Sequence, residues 1–134
     1  QIPIEGKKVT IIGRSLIVGK PLAMLLTNHH ATVTLCHSRT ANLKEHIAGS
    51  DIVVCAIGKE KFFNAELLSS DAKDKLTIID VGTNQDKDGN LCGDVDFDSV
   101  APLVKAITPV PGGVGPMTIL SLTQNLLQAA EKGL

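Results

Sequence analysis

KVTIIGRSLIVGKP, residues 8–21, is the stretch of this 134-residue chain that decides its fold. Its first five residues form a β-branched apolar run, which predicts a buried strand, and the run stops at Gly13. After Gly19, apolar residues recur at helical spacing, and Pro21 stands where the first turn of a helix accepts proline. A strand, a glycine-bordered loop and a helix in this order predict the first unit of an alternating α/β fold.

The same alternation continues along the rest of the chain. Further apolar runs predict strands at residues 32–36, 51–57, 76–81 and 104–107. Helical segments are predicted at residues 43–48, 64–68 and 118–131, and a hairpin tip at residues 86–90. Continuous apolar strands joined by helices require burial on both faces. We therefore predict one domain, residues 1–134, with a Rossmann-like, doubly wound parallel sheet in a three-layer αβα arrangement.

Composition excludes several classes of function. Thirteen Lys and Arg nearly balance fourteen Asp and Glu, so the basic footprint of nucleic-acid-binding proteins is absent. The chain has three Phe and neither Tyr nor Trp, which disfavours single-strand binding by base stacking and excludes any tyrosine acid or base. No apolar run approaches the ~20 residues of a membrane span. Cys36, Cys55 and Cys92 lack metal or redox spacing. We expect no metal site and a cytoplasmic location, with a mitochondrial form left open.

The loop between Gly13 and Gly19 predicts a phosphate-binding site. Five residues separate the two glycines, one more than in a P-loop, and Ser15 stands where a regular dinucleotide fingerprint has glycine. A helix that begins here still presents unpaired N–H groups and a positive dipole end to an anion. Arg14 adds a charge and Ser15 a hydroxyl donor. The alternative interpretation is a plain strand-to-helix turn with Arg14 in solvent.

The end of the second predicted strand indicates which nucleotide is bound. An NAD site usually has an acidic residue about 20 positions after the glycine loop. Here His37, Ser38 and Arg39 follow the strand instead. Ser38 and Arg39 suit a 2′-phosphate and His37 the adenosine end, so NADP is favoured over NAD. A basic loop in solvent is the alternative.

A Gly- and Pro-rich segment, TPVPGGVGPMT at residues 108–118, forms a third candidate site. Its glycines, Gly112 and Gly115 among them, permit backbone conformations closed to other residues, and its prolines stiffen the chain. We interpret it as a backbone wall under a flat ring, with Thr118 offering a hydroxyl. The alternative is a rigid turn in which Thr118 opens the last helix. Elsewhere, Asp94 and its alternating neighbours Asp96 and Asp98 predict a solvated edge and a helix cap rather than a catalytic pair.

Several of these motifs occur together, in one order, through essentially the whole chain. They are GRS at 13–15, VGKP at 18–21, CHS at 36–38, DVGTN at 80–84, GDV at 93–95 and ITPVPGGVGPMT at 107–118. Together they resemble the bifunctional methylenetetrahydrofolate dehydrogenase/cyclohydrolase family, and the last motif is close to a signature of that family. The resemblance is to the family's C-terminal NAD(P)-binding domain only.

The resemblance implies an NADP-dependent oxidation of methylene-tetrahydrofolate, followed by hydrolysis of the methenyl product to formyl-tetrahydrofolate. It implies that Arg14, Ser15 and Ser38 hold cofactor phosphates, and that the Thr83 backbone contacts the nicotinamide end. Thr83 stands where Ile is more usual, and residues 57–61 lack the Thr and Pro often found there. The predicted cofactor-binding residues are Gly13, Arg14, Ser15, Gly19, His37, Ser38, Arg39, Gly58, Thr83, Gly112, Gly115 and Thr118.

The family places its folate site and its catalytic Tyr and Lys in an N-terminal domain that residues 1–134 do not contain. We therefore predict no catalytic residue in this chain, and a folate substrate that is reached through the missing domain. Hydride transfer needs both reactants in near-attack geometry, so the chain alone is expected to bind NADP without turnover. The last helix leaves apolar residues free for that domain or for a homodimer. The alternative is a free-standing nucleotide-sensing or assembly module with no enzymatic activity.

Overall fold

A computed structural model describes residues 2–133 of the chain. Gln1 and Leu134, the limits of the predicted domain, lie outside the described residues. The strands are β1 (Lys8–Ile12), β2 (Thr32–Cys36), β3 (Ile52–Cys55), β4 (Thr77–Asp80), β5 (Asn84–Gln85), β6 (Leu91–Cys92) and β7 (Ala106–Ile107). The α-helices are α1 (Gly19–Asn28), α2 (Leu43–Ala48), α3 (Ala72–Lys75), α4 (Phe97–Val100) and α5 (Val114–Glu131). Short 3₁₀ turns occupy Ala65–Leu67 and Ala101–Leu103.

Five strands form one parallel sheet in the order β2-β1-β3-β4-β7. The chain leaves β1 to one side for β2 and then crosses to the other side for β3, so the direction of winding reverses beside β1. Open parallel sheets bind ligands at such a reversal, beyond the carboxyl ends of the strands. The predicted doubly wound, Rossmann-like α/β fold is therefore confirmed.

Apolar clusters cover both faces of this sheet. Val53 and Cys55 of β3 belong to one cluster, together with the fully buried Phe63, whereas Ile52 and Val54 belong to the other. Successive strand residues point to opposite faces, so burial on both sides requires an unbroken apolar run. The helices α2, α3 and α4 contribute to the first cluster and α1 to the second, which gives the three predicted layers.

The elements differ from the predicted ones mainly at their ends. The strands β1 and β2 match their predicted runs, whereas β3, β4 and β7 are shorter than theirs. The helical segment predicted at residues 64–68 is a 3₁₀ turn at Ala65–Leu67. The last helix begins at Val114 instead of Thr118, because its first turn accepts Pro116, whose missing N–H would have no helical partner there. The short helices α3 and α4 were not predicted. Among residues 2–133, the structure contains no helix long and apolar enough to cross a bilayer.

Candidate functional site

The predicted site residues all follow the carboxyl ends of parallel strands, and the structure brings them to one edge of the sheet. The strand order places residues 37–39 after β2, 13–15 after β1, Gly58 after β3, Thr83 after β4 and 112–118 after β7. Strands about 4.8 Å apart make this row roughly 19 Å long. We call it the carboxyl edge. Its length and order suit an extended ligand with two different ends.

The loop after β1 closes tightly on the start of α1. Gly13 has a φ of +127°, and a Cβ there would lie 2.7 Å from the carbonyl carbon of Ala56. A Cβ at Gly19 would lie 2.7 Å from the carbonyl carbon of Gly13. Both positions therefore require glycine, because the obstacle is backbone in each case. This packing holds the N-terminus of α1 against the end of β1, beside the reversal in the sheet.

Ser15 and Arg14 have different roles in this loop. The Ser15 Oγ accepts hydrogen bonds from the N–H groups of Val18 and Gly19, at 3.1 and 3.3 Å. The serine therefore fastens the start of α1, while its own O–H proton stays available to an acceptor. Arg14 is exposed and, within the described residues, forms no ion pair. Its guanidinium is free to meet an anion.

The turn after β2 is held by its own side chains. The His37 N–H donates to Thr40 Oγ1 at 2.9 Å, and His37 Nδ1 accepts from the Arg39 N–H at 3.1 Å. The Thr40 N–H donates in turn to the His37 carbonyl oxygen at 2.9 Å. Ser38 and Arg39 are exposed at the tip. Thr40, which the sequence analysis did not single out, shapes the turn that presents both side chains.

A cleft of about 520 Å³ occupies the other end of the carboxyl edge. Thr83, Gly112, Gly115 and Thr118 all line it, so four predicted residues share one cavity. A Cβ at Gly112 or Gly115 would meet nothing within 4 Å, which leaves room for a ring against the backbone. Thr118 lies in the second turn of α5, where its Oγ1 donates to the Val114 carbonyl oxygen at 3.3 Å. The idea that Thr118 opens the helix is therefore wrong.

Asp94 is the main site feature that the sequence analysis missed. The expected solvated position is wrong, because Asp94 is fully buried. Its carboxylate accepts from the N–H groups of Ile57, Gly58 and Lys59 at 2.6, 3.0 and 2.9 Å. Asn84 Nδ2 donates to it at 2.9 Å. The signal was the GDV motif, in which a glycine beside an acid allows close approach of another chain segment.

A second buried carboxylate, Asp80, lies at the end of β4. It accepts from the N–H groups of Gly82 at 2.9 Å, Asp94 at 3.0 Å and Val95 at 2.9 Å. Burial raises the pKa of the Asp80 carboxyl above its ordinary value, although these three hydrogen bonds act against the shift. The Asp80 N–H donates to Thr108 Oγ1 at 2.9 Å, which ties the start of the Gly- and Pro-rich segment to β4.

Two of the three cysteines lie in strands of the parallel sheet, Cys36 at its edge and Cys55 in its interior, and in none of the three is the thiol pKa lowered. Cys36 and Cys55 are buried, as expected for small apolar residues, and burial raises the pKa of both thiols. Within residues 2–133, no three His, Cys, Asp or Glu side chains lie close enough to hold a metal ion.

No side chain of α5 is buried. Its large exposed apolar residues are Met117, Ile119, Leu120, Leu122, Leu126 and Leu127.

Comparison with known proteins finds close relatives over the whole chain. Residues 1–134 match a family model described as tetrahydrofolate dehydrogenase/cyclohydrolase, NAD(P)-binding domain. The bifunctional protein FolD of Methanoculleus marisnigri is 55% identical over 131 residues, which are 98% of this chain and 45% of that protein. The FolD protein of Streptococcus pneumoniae serotype 4 is 55% identical over 133 residues, 99% of this chain and 45% of that protein. The chain thus spans about half the length of the curated relatives it matches.

Solved structures agree with these relatives. The bifunctional FolD enzyme of Campylobacter jejuni superposes with a TM-score of 0.90 at 40% identity, over 98% of this chain and 45% of that one. The methylenetetrahydrofolate dehydrogenase-cyclohydrolase of Trypanosoma brucei, solved with NADP and an inhibitor, gives a TM-score of 0.86 at 39% identity. That match covers 98% of this chain and 46% of the other.

Proposed function

Since the chain belongs to the tetrahydrofolate dehydrogenase/cyclohydrolase family, as its NAD(P)-binding domain, we propose that it binds NADP along its carboxyl edge. The observation that carries the proposal is the order of the candidate residues across the sheet, from the basic turn after β2 to the cleft beside β7. NADP would accept the hydride in the oxidation of methylene-tetrahydrofolate. In the whole enzyme, water then converts the methenyl product to 10-formyl-tetrahydrofolate.

The adenosine and phosphate end of the cofactor lies over β1 and β2. The N-terminus of α1, Arg14 and the Ser15 hydroxyl bind the pyrophosphate, and α1 has no acidic residue in its first turn to oppose an anion. Ser38 and Arg39 bind the 2′-phosphate, in a turn that contains no carboxylate. These hydrogen-bond donors and positive charges suit the negative charge of NADP. The hydrogen bonds of His37 and Thr40 hold the turn in one conformation before the cofactor binds.

The nicotinamide end lies in the 520 Å³ cleft, against the backbone of Thr83 and the glycines of the Gly- and Pro-rich segment. Open space at Gly112 and Gly115 lets a flat ring approach the main chain and leave one face toward the substrate. The lining of the cleft is largely apolar, which suits one face of such a ring. These residues bind and orient the ring.

The folate site and the acid–base groups belong, in this proposal, to the part of the enzyme outside residues 1–134. No side chain at the carboxyl edge is assigned a proton transfer, and turnover requires folate held against the ring. The chain alone is therefore expected to bind NADP without oxidising methylene-tetrahydrofolate. Turnover measured with this chain alone would contradict the division of labour and would also exclude a purely sensory module.

Cofactor choice depends on Arg39. We expect calorimetric titration to show tighter binding of NADPH than of NADH. Arg39→Ala removes a charge-assisted hydrogen bond worth about 1.5–3 kcal/mol, so NADPH affinity falls roughly 10- to 100-fold while NADH affinity stays unchanged. Arg14→Ala weakens both cofactors, because they share the pyrophosphate. Lys73→Ala, at an exposed basic residue on α3, is the control and changes neither affinity. Equal affinity of the parent chain for the two cofactors would refute the assignment of the 2′-phosphate site.

The exposed helix α5 carries the proposed protein contacts. We propose that its apolar residues pack on the folate-binding part of the whole enzyme, and that two copies of this chain alone pair through them as a homodimer. Leu122 and Leu126 are 67% and 69% exposed and lie one helical turn apart. Without a partner, such a surface favours association.

Sedimentation tests this contact. We expect the parent chain to dimerise with concentration and the double variant Leu122→Lys, Leu126→Lys to remain monomeric. Burial of each leucine contributes about 1.5–3 kcal/mol, so the dissociation constant rises roughly 100-fold or more. Leu103→Lys, at an exposed leucine outside α5, is the matched control and leaves association unchanged. A parent chain that stays strictly monomeric at high concentration, with α5 ordered, would count against the proposal.

A further inference from the structure

Asp94 joins the two loops that carry the middle of the carboxyl edge. On one side its carboxylate accepts from the N–H of Gly58 and of both its neighbours, Ile57 and Lys59. These three donors lie 35–37 residues away along the chain, in the loop after β3. Gly58 has a φ of +74° and is exposed, so Asp94 holds this loop from beneath while its outer surface stays open.

Asp94 also holds the loop after β4, on both sides of Thr83. Asn84 Nδ2 donates to Asp94 Oδ1 at 2.9 Å. Gly82 packs so closely that a Cβ there would lie 2.5 Å from the Asp94 Cγ. Thr83 itself is exposed between these two contacts and lines the cleft. Its backbone position therefore follows that of the carboxylate.

Asp80 fixes Asp94 in turn. The Asp80 carboxylate accepts from the N–H groups of Asp94 and Val95, so the backbone that carries Asp94 is bound to the end of β4. Within the described residues, no buried polar side-chain atom lacks a hydrogen-bond partner, so every oxygen of this pair is used. Fully satisfied buried polar networks are rigid and specify one arrangement.

We propose that Asp94 is a positioning residue, which sets Gly58 and Thr83 for the nicotinamide half of the cofactor without touching the cofactor itself. The inference rests on the proposed function. It assigns Asp94 no effect on the pyrophosphate and 2′-phosphate end, because Arg14, Ser15 and the His37–Thr40 turn make no hydrogen bond to Asp94. Loss of the carboxylate therefore weakens one half of the site selectively.

The Asp94→Asn variant separates charge from shape. Each Asp94 oxygen accepts two donors, whereas an asparagine offers one oxygen and turns an NH₂ group toward the other two. The loops after β3 and β4 can then no longer both keep their hydrogen bonds to residue 94, so at least one of them moves. Asn84→Ala is the gentler variant, because it removes one donor from the loop after β4 and leaves the other three bonds.

The experiment titrates two probes, NADPH and adenosine 2′,5′-bisphosphate, into the chain and its variants. We expect Asp94→Asn to weaken NADPH about tenfold or more and Asn84→Ala to weaken it roughly two- to tenfold, with the bisphosphate unchanged in both. Ile47→Ala, in a buried residue on α2, is the control for general loss of stability and changes neither affinity in the folded protein. If Asp94→Asn does not fold, the affinities of Asn84→Ala for the two probes decide whether the positioning role holds.

The possible results distinguish a failure of the positioning role from a failure of the proposed function. A parent chain that binds neither probe overturns the proposed function and the inference with it. A parent chain that binds both, with variants that lose NADPH and the bisphosphate equally or lose neither, overturns the inference alone. Selective loss of NADPH supports it, because a merely structural role would not distinguish the two halves of one ligand.

Discussion

Gly93→Ala is expected to cause a severe loss of folding stability. A Cβ at Gly93 would lie 2.6 Å from the Asp80 Cγ and even closer to one carboxylate oxygen. Asp80 cannot turn aside without releasing the N–H groups of Gly82, Asp94 and Val95. Overpacking and disruption of a buried charged network together cost roughly 4 kcal/mol or more, against a total stability of about 5–15 kcal/mol for a domain. Urea denaturation followed by circular dichroism measures the loss.

Gly49→Ala is the matched control for this prediction. Gly49 ends α2 with a φ of −86°, and a Cβ there would meet nothing within 4 Å. Alanine at such a position restricts the unfolded chain, so we expect a gain of about 0.4–1 kcal/mol. A Gly93→Ala chain as stable as Gly49→Ala would mean that Asp80 leaves its hydrogen bonds at little cost.

Gly19→Ala is expected to abolish cofactor binding while most of the chain stays folded. The added Cβ would lie 2.7 Å from the Gly13 carbonyl carbon and 3.0 Å from the Arg14 Cα. Both obstacles are backbone of the phosphate loop, so the loop must open and the N-terminus of α1 must move away from it. Arg14, Ser15 and the helix N–H groups then no longer converge, and NADPH affinity falls roughly 100-fold or more. Calorimetry measures the affinity, and circular dichroism verifies the fold.

Lys20→Ala distinguishes loop geometry from local charge. Lys20 is the next residue of α1 and is exposed, so its truncation removes a positive charge and leaves the loop closed. An exposed charge near a helix terminus contributes about 0.3–1 kcal/mol, so NADPH affinity falls by no more than about fivefold. A Gly19→Ala loss no larger than that of Lys20→Ala would contradict the role of loop geometry.

Local sequence predicted the elements well and their ends less well. The run at residues 8–12 matches β1 to the residue, whereas residues 104–107 contain a strand of only Ala106–Ile107. Apolar periodicity reports burial, and burial continues beyond the last ladder hydrogen bond. The start of α5 was misplaced because Gly115 and Pro116 are typical of turns, although the first turn of a helix accepts both.

The site was predicted where its signal was local. Their position after a strand marked the glycines at 13 and 19 and the basic turn at 37–39 as candidate site residues. Ser15 and Thr40 show a finer role, because each fastens a loop through bonds to residues three or four positions away. Asp94 was misplaced because alternation with apolar residues is typical of a solvated edge, although Gly93 beside it allows close approach of another chain segment.

Apolar periodicity and glycine-bordered loops were enough to predict the alternating strands and helices and the loops at the carboxyl edge, because these signals lie within short segments. The family was indicated by motifs that follow one another in order from residue 13 to residue 118. The burial of Asp94, its support by Asp80 and the lack of any buried side chain on α5 depend on contacts between distant segments, so they became visible in the folded structure. Three of the four donors to Asp94 come from a loop 35–37 residues away along the chain. A carboxylate is stable without water only when such donors are assembled around it, and folding alone assembles them.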